Sequence, residues 1–224
     1  MKRSEINRCL KWSEALLNEY RFPLPRFAAW GMEEWKENRE ACKEIFQTLL
    51  GWDITDFGTG DFDKIGAVLF TIRNGILNQP GVGSPYAEKL ILLKEGQRLP
   101  NHFHAMKTED IINRGGGRIF MKLFNRLPDG GVDYETNVSV YSDGILKTVK
   151  AGEEFYVMPG DSVRLTPGIY HIFGAKDAEV IVGEVSSIND DKTDNYFAEP
   201  TARFPTIEED EAILHPLVGD YERL

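Results

Sequence analysis

Gly96-Gln97-Arg98-Leu99-Pro100-Asn101-His102-Phe103-His104-Ala105-Met106-Lys107-Thr108-Glu109-Asp110-Ile111-Ile112-Asn113-Arg114-Gly115-Gly116 decides how this chain is read, together with Pro167-Gly168-Ile169-Tyr170-His171 downstream. Two histidines separated by one residue face the same way when their backbone is a strand, because strand side chains alternate with period two. A carboxylate, Glu109, stands just beyond them. A third imidazole, His171, arriving on a distant strand completes a pocket of three histidines and one glutamate.

That donor set is hard to borderline and leaves coordination positions open. It suits Mn²⁺, Fe²⁺, Co²⁺, Ni²⁺ or Zn²⁺, and intrinsic affinity does not choose among them. A closed structural zinc site usually contains thiolates, and neither Cys9 nor Cys42 is near the motif. Open positions admit a bidentate oxygen ligand, on which a metal acts as a Lewis acid.

Working outward, residues 67–186 hold short β-rich runs separated by Gly, Pro, Asn and Asp: Ala67–Ile72, Glu88–Leu93, Arg118–Phe124, Val138–Tyr141, Glu154–Met158, Ser162–Leu165, Tyr170–Phe173 and Val180–Val185. Many short strands with frequent turns indicate a sandwich or barrel, and no helical period interrupts them. Gly115-Gly116-Gly117 lacks the Lys-Ser/Thr ending of a phosphate loop and reads as a tight β connection.

Residues 1–50 are helical in pattern. Ser4 is the expected N-cap of a first helix with Ile6, Cys9, Leu10, Ser13, Leu16, Leu17 and Tyr20 on its apolar stripe. Phe22-Pro23 ends it. A second helix is expected from Met32 to Leu50, stopped by Gly51. The Gly- and Asp-rich stretch 51–66 reads as a solvated connection, not spaced as an EF-hand. After residue 187 a polar, acidic tail follows, with Glu208–Glu211 as a solvated face and His215 as exposed. The whole reads as one domain over 1–224: helices 1–50, β core 67–186, and a tail 187–224 capping the barrel.

The formal net charge of −10 argues against nucleic acid and anionic membrane surfaces as partners, both of which need a basic face. The start of the chain is broken by Glu5, Asn7, Arg8, Lys11 and Glu14, so it reads as a helix rather than a signal peptide, and no run approaches roughly eighteen apolar residues. Two cysteines on helical apolar stripes fit a cytoplasmic, reducing setting.

Gly96-x5-His102-x-His104-x4-Glu109-x6-Gly116 resembles the first motif of the cupin superfamily, which implies a double-stranded β-helix or jelly-roll barrel. The second cupin motif is departed from: Gly160 stands one residue further from Pro167, Gly168 follows Pro167 directly, and position 175 is Ala. A closer resemblance covers nearly the whole chain. The run from His102 to Gly117, with Glu88-Lys89-Leu90, Asn189-Asp190-Asp191, Asp194-Asn195 and Arg203-Phe204-Pro205, resembles D-lyxose isomerases. The resemblance implies an aldose–ketose isomerase for D-lyxose and D-mannose, a preference for Mn²⁺, and a homodimer.

Such chemistry asks for a carboxylate base outside the metal ligands. Glu199, inside the family-like tail, is the candidate base and Arg203 a contact to substrate; the alternative is an exposed ion pair between them. Lys107 and Lys89 are further catalytic candidates, each equally consistent with a solvated lysine, and Asp194 is a weaker one. The partner expected is a small neutral monosaccharide. Rival readings are an iron dioxygenase, a phosphosugar isomerase using Lys89, Arg98, Lys107 and Arg114, and a non-catalytic sugar-binding module.

Overall fold

The computed structural model describes residues 1–191, 193–202 and 205–224. In chain order the elements are α1 (Arg3–Glu19), α2 (Met32–Glu37), α3 (Lys43–Thr48), β1 (Gly51–Thr55), β2 (Ala67–Gly75), β3 (Gly83–Leu93), β4 (His102–Phe103), β5 (Glu109–Arg126), β6 (Val132–Asp133), β7 (Val138–Ser142), β8 (Ile145–Val149), β9 (Phe155–Val157), β10 (Ser162–Leu165), β11 (Tyr170–Ser187) and β12 (Tyr196–Phe197). The strands pair antiparallel throughout, in the order β1-β2-β3-β11-β5-β10-β7-β8. The molecule is therefore mainly β, with a helical N-terminal extension.

Two strands of 18 residues, β5 and β11, shape it. The first half of β11 pairs with the second half of β5, and the second half of β11 lies between β3 and the first half of β5. Each long strand thus serves both layers that enclose the core, where Ile91, Leu93, Ile111, Ile119, Met121, Phe173, Val180 and Val182 meet. Burying each such side chain stabilises by about 1.5–3 kcal/mol relative to exposure. The outer face of β1, β2 and β3 is buried too, under Ile6, Leu10, Leu16 and Leu17 of α1. That double burial explains the unbroken apolar run Leu90-Ile91-Leu92-Leu93, whose alternate members serve opposite faces.

Several expectations change. The runs 170–173 and 180–185 are one strand, bent at Asp177 (φ 72°). Likewise 118–124 extends back to Glu109, so the glycines at 115–117 lie inside a strand at a bulge rather than between strands. Gly116 has φ +94°, and a Cβ there would sit 2.0 Å from the Glu179 carbonyl oxygen. The stretch after Gly51 opens with a strand, β1, paired along its length with β2. The expected 32–50 helix is two short ones, α2 and α3, separated by turns over 38–42; at the end of α2 the Asn38 side-chain amide donates to the Glu34 carbonyl at 2.8 Å. Ser4 lies within α1, whose first turn is closed instead by Glu5 accepting from the Lys2 N–H at 2.7 Å.

The acidic tail anchors the helix. Fully buried Arg3 donates to both carboxylate oxygens of Asp220, at 2.9 and 2.8 Å, and to Glu209. Asp210 accepts from the Ser4 N–H at 2.9 Å. The run 208–211 is exposed, as expected, and two of its carboxylates, Glu209 and Asp210, also clamp the start of α1. His215 is buried, donating from Nδ1 to the Trp30 carbonyl at 3.1 Å, with Nε2 3.1 Å from Glu14.

Candidate metal centre and active site

β4 places His102 directly opposite His171 on β11. His104 lies just past β4, and Glu109 begins β5, whose inward residues Glu109, Ile111 and Asn113 alternate with less buried ones. Four side chains from three neighbouring strands and the loop after β4 therefore converge. The imidazole centroids of His102 and His171 are 4.1 Å apart, and those of His104 lie 5.3 and 5.6 Å from them. One nitrogen of each ring falls within 4.8 Å of the others.

Each Nδ1–H is committed to a backbone carbonyl: His102 to Pro100 at 2.8 Å, His104 to Asp194 at 2.6 Å, His171 to Ile169 at 3.0 Å. That fixes the tautomer and leaves Nε2 as the free lone pair in all three, the arrangement metal-binding histidines adopt. His171 Nε2 is buried with no hydrogen-bond partner, although Glu109 Oε1 lies 3.2 Å away and 3.5 Å from His104 Nε2. An orphaned buried nitrogen, two more aimed beside it and a carboxylate oxygen fit a divalent cation.

The charges suit that fit. Burial, with the neighbouring His171 imidazole, holds His102 well below the ordinary histidine value. Burial likewise pushes His104 down to about 4, so both are neutral ligands at physiological pH. For Glu109 burial works the other way, but Lys107 and His104 outweigh it and keep the carboxyl well below the usual range.

Lys107 is the hub behind the ligands. Its Nζ lies 2.8 Å from Glu109 Oε2 and 2.8 Å from Glu184 Oε1. Desolvation opposes its charge, yet the two carboxylates hold its pKa above the ordinary lysine value. Lys89 Nζ stands 3.7 Å from the same Glu184 oxygen and 4.0 Å from Asp191. Burial raises the Glu184 carboxyl, but Lys107 and Lys89 more than reverse it. These groups line a cavity of about 40 Å³ with Asn195 and an apolar wall that includes Phe57, Leu99, Phe173 and Phe197.

Of the residues singled out from sequence, His102, His104, Glu109, His171, Lys107 and Lys89 come together here. Glu199 does not: it is exposed on the tail, outside the cavity lining, with its carbonyl accepting from the Thr201 hydroxyl. Arg203 lies outside the described residues. Glu184 was missed, though a signal existed. It alternates with Val180 and Val182 in an apolar run, which turns a carboxylate into the core. Lys89 alternates in the same way with Ile91 and Leu93, and is the cross-strand partner of Glu184.

A family model described as D-lyxose isomerase matches residues 1–221. A D-lyxose/D-mannose isomerase of Serratia proteamaculans is 41% identical over 226 residues, covering 100% of this chain and 99% of its own. One from Escherichia coli O157:H7 is 38% identical over the same span and coverage. Among solved structures, an Acinetobacter sp. DL28 L-ribose isomerase mutant in complex with L-ribose superposes with TM-score 0.57 at 15% identity, covering 93% of this chain and 98% of that one. The Geodermatophilus obscurus L-ribose isomerase gives 0.53 at 17%, with the same coverage. At such identities the likeness is one of fold.

Proposed function

Because the chain belongs to the D-lyxose isomerase family and is a sugar isomerase, we propose that it interconverts D-lyxose with D-xylulose and D-mannose with D-fructose, using a divalent metal held by His102, His104, Glu109 and His171. Glu184 is the observation that carries the mechanism: a buried second carboxylate, outside the histidine cluster, facing the same cavity. When bound, the metal supplies Lewis-acid stabilisation of negative charge on vicinal sugar oxygens.

The side chains do the rest. Glu184, ionised by its two lysines, takes the proton from C2 of the aldose and delivers a proton to C1 on the same face of a cis-enediol, while the hydroxyl proton passes from O2 to O1. Lys107 holds the Glu109 and Glu184 carboxylates apart from one another and in register. Lys89 and Asn195 are placed to hold sugar hydroxyls, and the Phe57–Phe197 wall excludes water from the reacting carbons.

A neutral sugar suits the charges better than a phosphorylated one. Among the cavity-lining residues two lysines meet three carboxylates, Glu109, Glu184 and Asp191, so no side-chain cation is left in excess for a phosphate. Arg98 and Arg114 are not among the lining residues. The same reading assigns Mn²⁺ and a homodimer, supported by the family resemblance. It treats 1–224 as one cupin domain, supported by the continuous sheet. A cytoplasmic location is supported by two buried, unpaired thiols. Among the described residues no helix is long and apolar enough to cross a membrane.

Glu184→Gln tests the base. Turnover of D-lyxose should fall by about 10²–10⁴-fold, the usual worth of a general base, with metal content unchanged. Glu199→Gln, measured beside it, should turn over like the unaltered enzyme. Near-normal turnover by Glu184→Gln contradicts the assignment.

A further inference from the structure

Asp194 makes four hydrogen bonds to one short segment. Its Oδ1 accepts from the N–H groups of Ala105 and Met106, at 2.8 and 2.9 Å, and its Oδ2 from that of Lys107, at 2.8 Å. Its backbone carbonyl accepts the Nδ1–H of His104 at 2.6 Å. The residue is buried and stands just before β12, which pairs with β4 beside the cavity.

The other two histidines are oriented by their own chain, since each donates to the carbonyl two residues before it. His104 has no such local partner. Its orientation depends on a residue 90 positions away. The segment Asp194 clamps also carries Lys107, whose ammonium joins Glu109 to Glu184. Three backbone donors on one carboxylate form charge-assisted bonds, and removing that acceptor leaves all three without it.

We infer that Asp194 is a positioning residue that sets both the His104 imidazole toward the metal and the Lys107 ammonium between its two carboxylates. The inference rests on the metal reading above. Asp194→Ala removes every side-chain acceptor. Asp194→Asn, nearly isosteric, keeps one oxygen but turns an amide N–H₂ toward a backbone N–H, so at least one bond is lost.

The test is Mn²⁺ affinity, read from the loss of the free-ion EPR signal on titration of metal-free protein. Asp194→Ala should raise the dissociation constant about 10–100-fold, the usual effect of removing a group that orients a ligand. Asp194→Asn should fall between, and gives the same reading if the alanine variant does not fold. Arg3→Met, which breaks the distant tail clamp, is the control for destabilisation alone: its thermal midpoint should drop while its Mn²⁺ affinity stays that of the unaltered protein. Unchanged affinity in Asp194→Ala and Asp194→Asn overturns the inference. So does a loss of affinity in Arg3→Met as large as in Asp194→Ala, because the effect would then be general instability. Failure of the unaltered protein to bind Mn²⁺ overturns the metal reading, and the inference with it.

Discussion

The Nζ of Lys107 lies 2.8 Å from Oε1 of Glu184, although 77 residues separate them in the chain. The pair is buried, and it joins the metal-ligand segment to the long strand β11. A buried cation between two buried carboxylates is stable only as a set, since each charge has given up its water.

Lys107→Met should therefore destabilise the metal-free protein by about 3–5 kcal/mol, because Glu109 and Glu184 are left buried without their shared counter-charge. Urea unfolding under chelation measures it. A loss below about 1 kcal/mol would mean that water reaches these groups.

Phe197 packs between His102 and Phe57, with ring centroids 5.7 and 5.9 Å away. Phe197→Ala should weaken sugar binding through lost ring contact, by about 1 kcal/mol or about fivefold in KM, with a smaller change in kcat. A steady-state comparison with D-lyxose reads both.

Gly116 stands at the β5 bulge with no room for a side chain. Gly116→Ala combines a left-handed backbone with a clash against the Glu179 carbonyl, and should cost at least about 2 kcal/mol. A thermal midpoint equal to that of the unaltered protein would contradict the bulge.

The tail clamp gives a pH dependence of known sign. Hydrogen bonds from Arg3 and Arg223 hold the Glu209 carboxyl down to about 2, against 4.5 ordinarily. The unfolded chain binds that proton first, so the stabilisation is present above about pH 4.5 and drains as pH falls toward about 2. Glu209→Gln lacks it. The stability gap between the two proteins should be widest above about pH 5 and narrow steadily on acidification; a gap that widens would reverse the assignment.

The histidine spacing made the metal cluster legible because ligands near in sequence on a strand keep their geometry. The barrel was legible from turn punctuation, except where strands bend instead of ending. The bulges at Gly116 and Asp177 interrupt the alternation, so two long strands read as several short ones. Glu184 was obscured for the same reason: its parity is set by the strand after the bulge, not by His171 before it. Glu199 drew notice through its neighbours in the tail, but nothing local says which tail carboxylate turns inward. Asp194 does, since three adjacent N–H groups offer it partners.

The central claim is metal-dependent isomerisation, and proton NMR of D-lyxose in D₂O tests it most directly, with chelator-stripped protein against the same protein reloaded with Mn²⁺. The account predicts D-xylulose only after reloading. Conversion by stripped protein, or none of D-lyxose and D-mannose by reloaded protein, would contradict it.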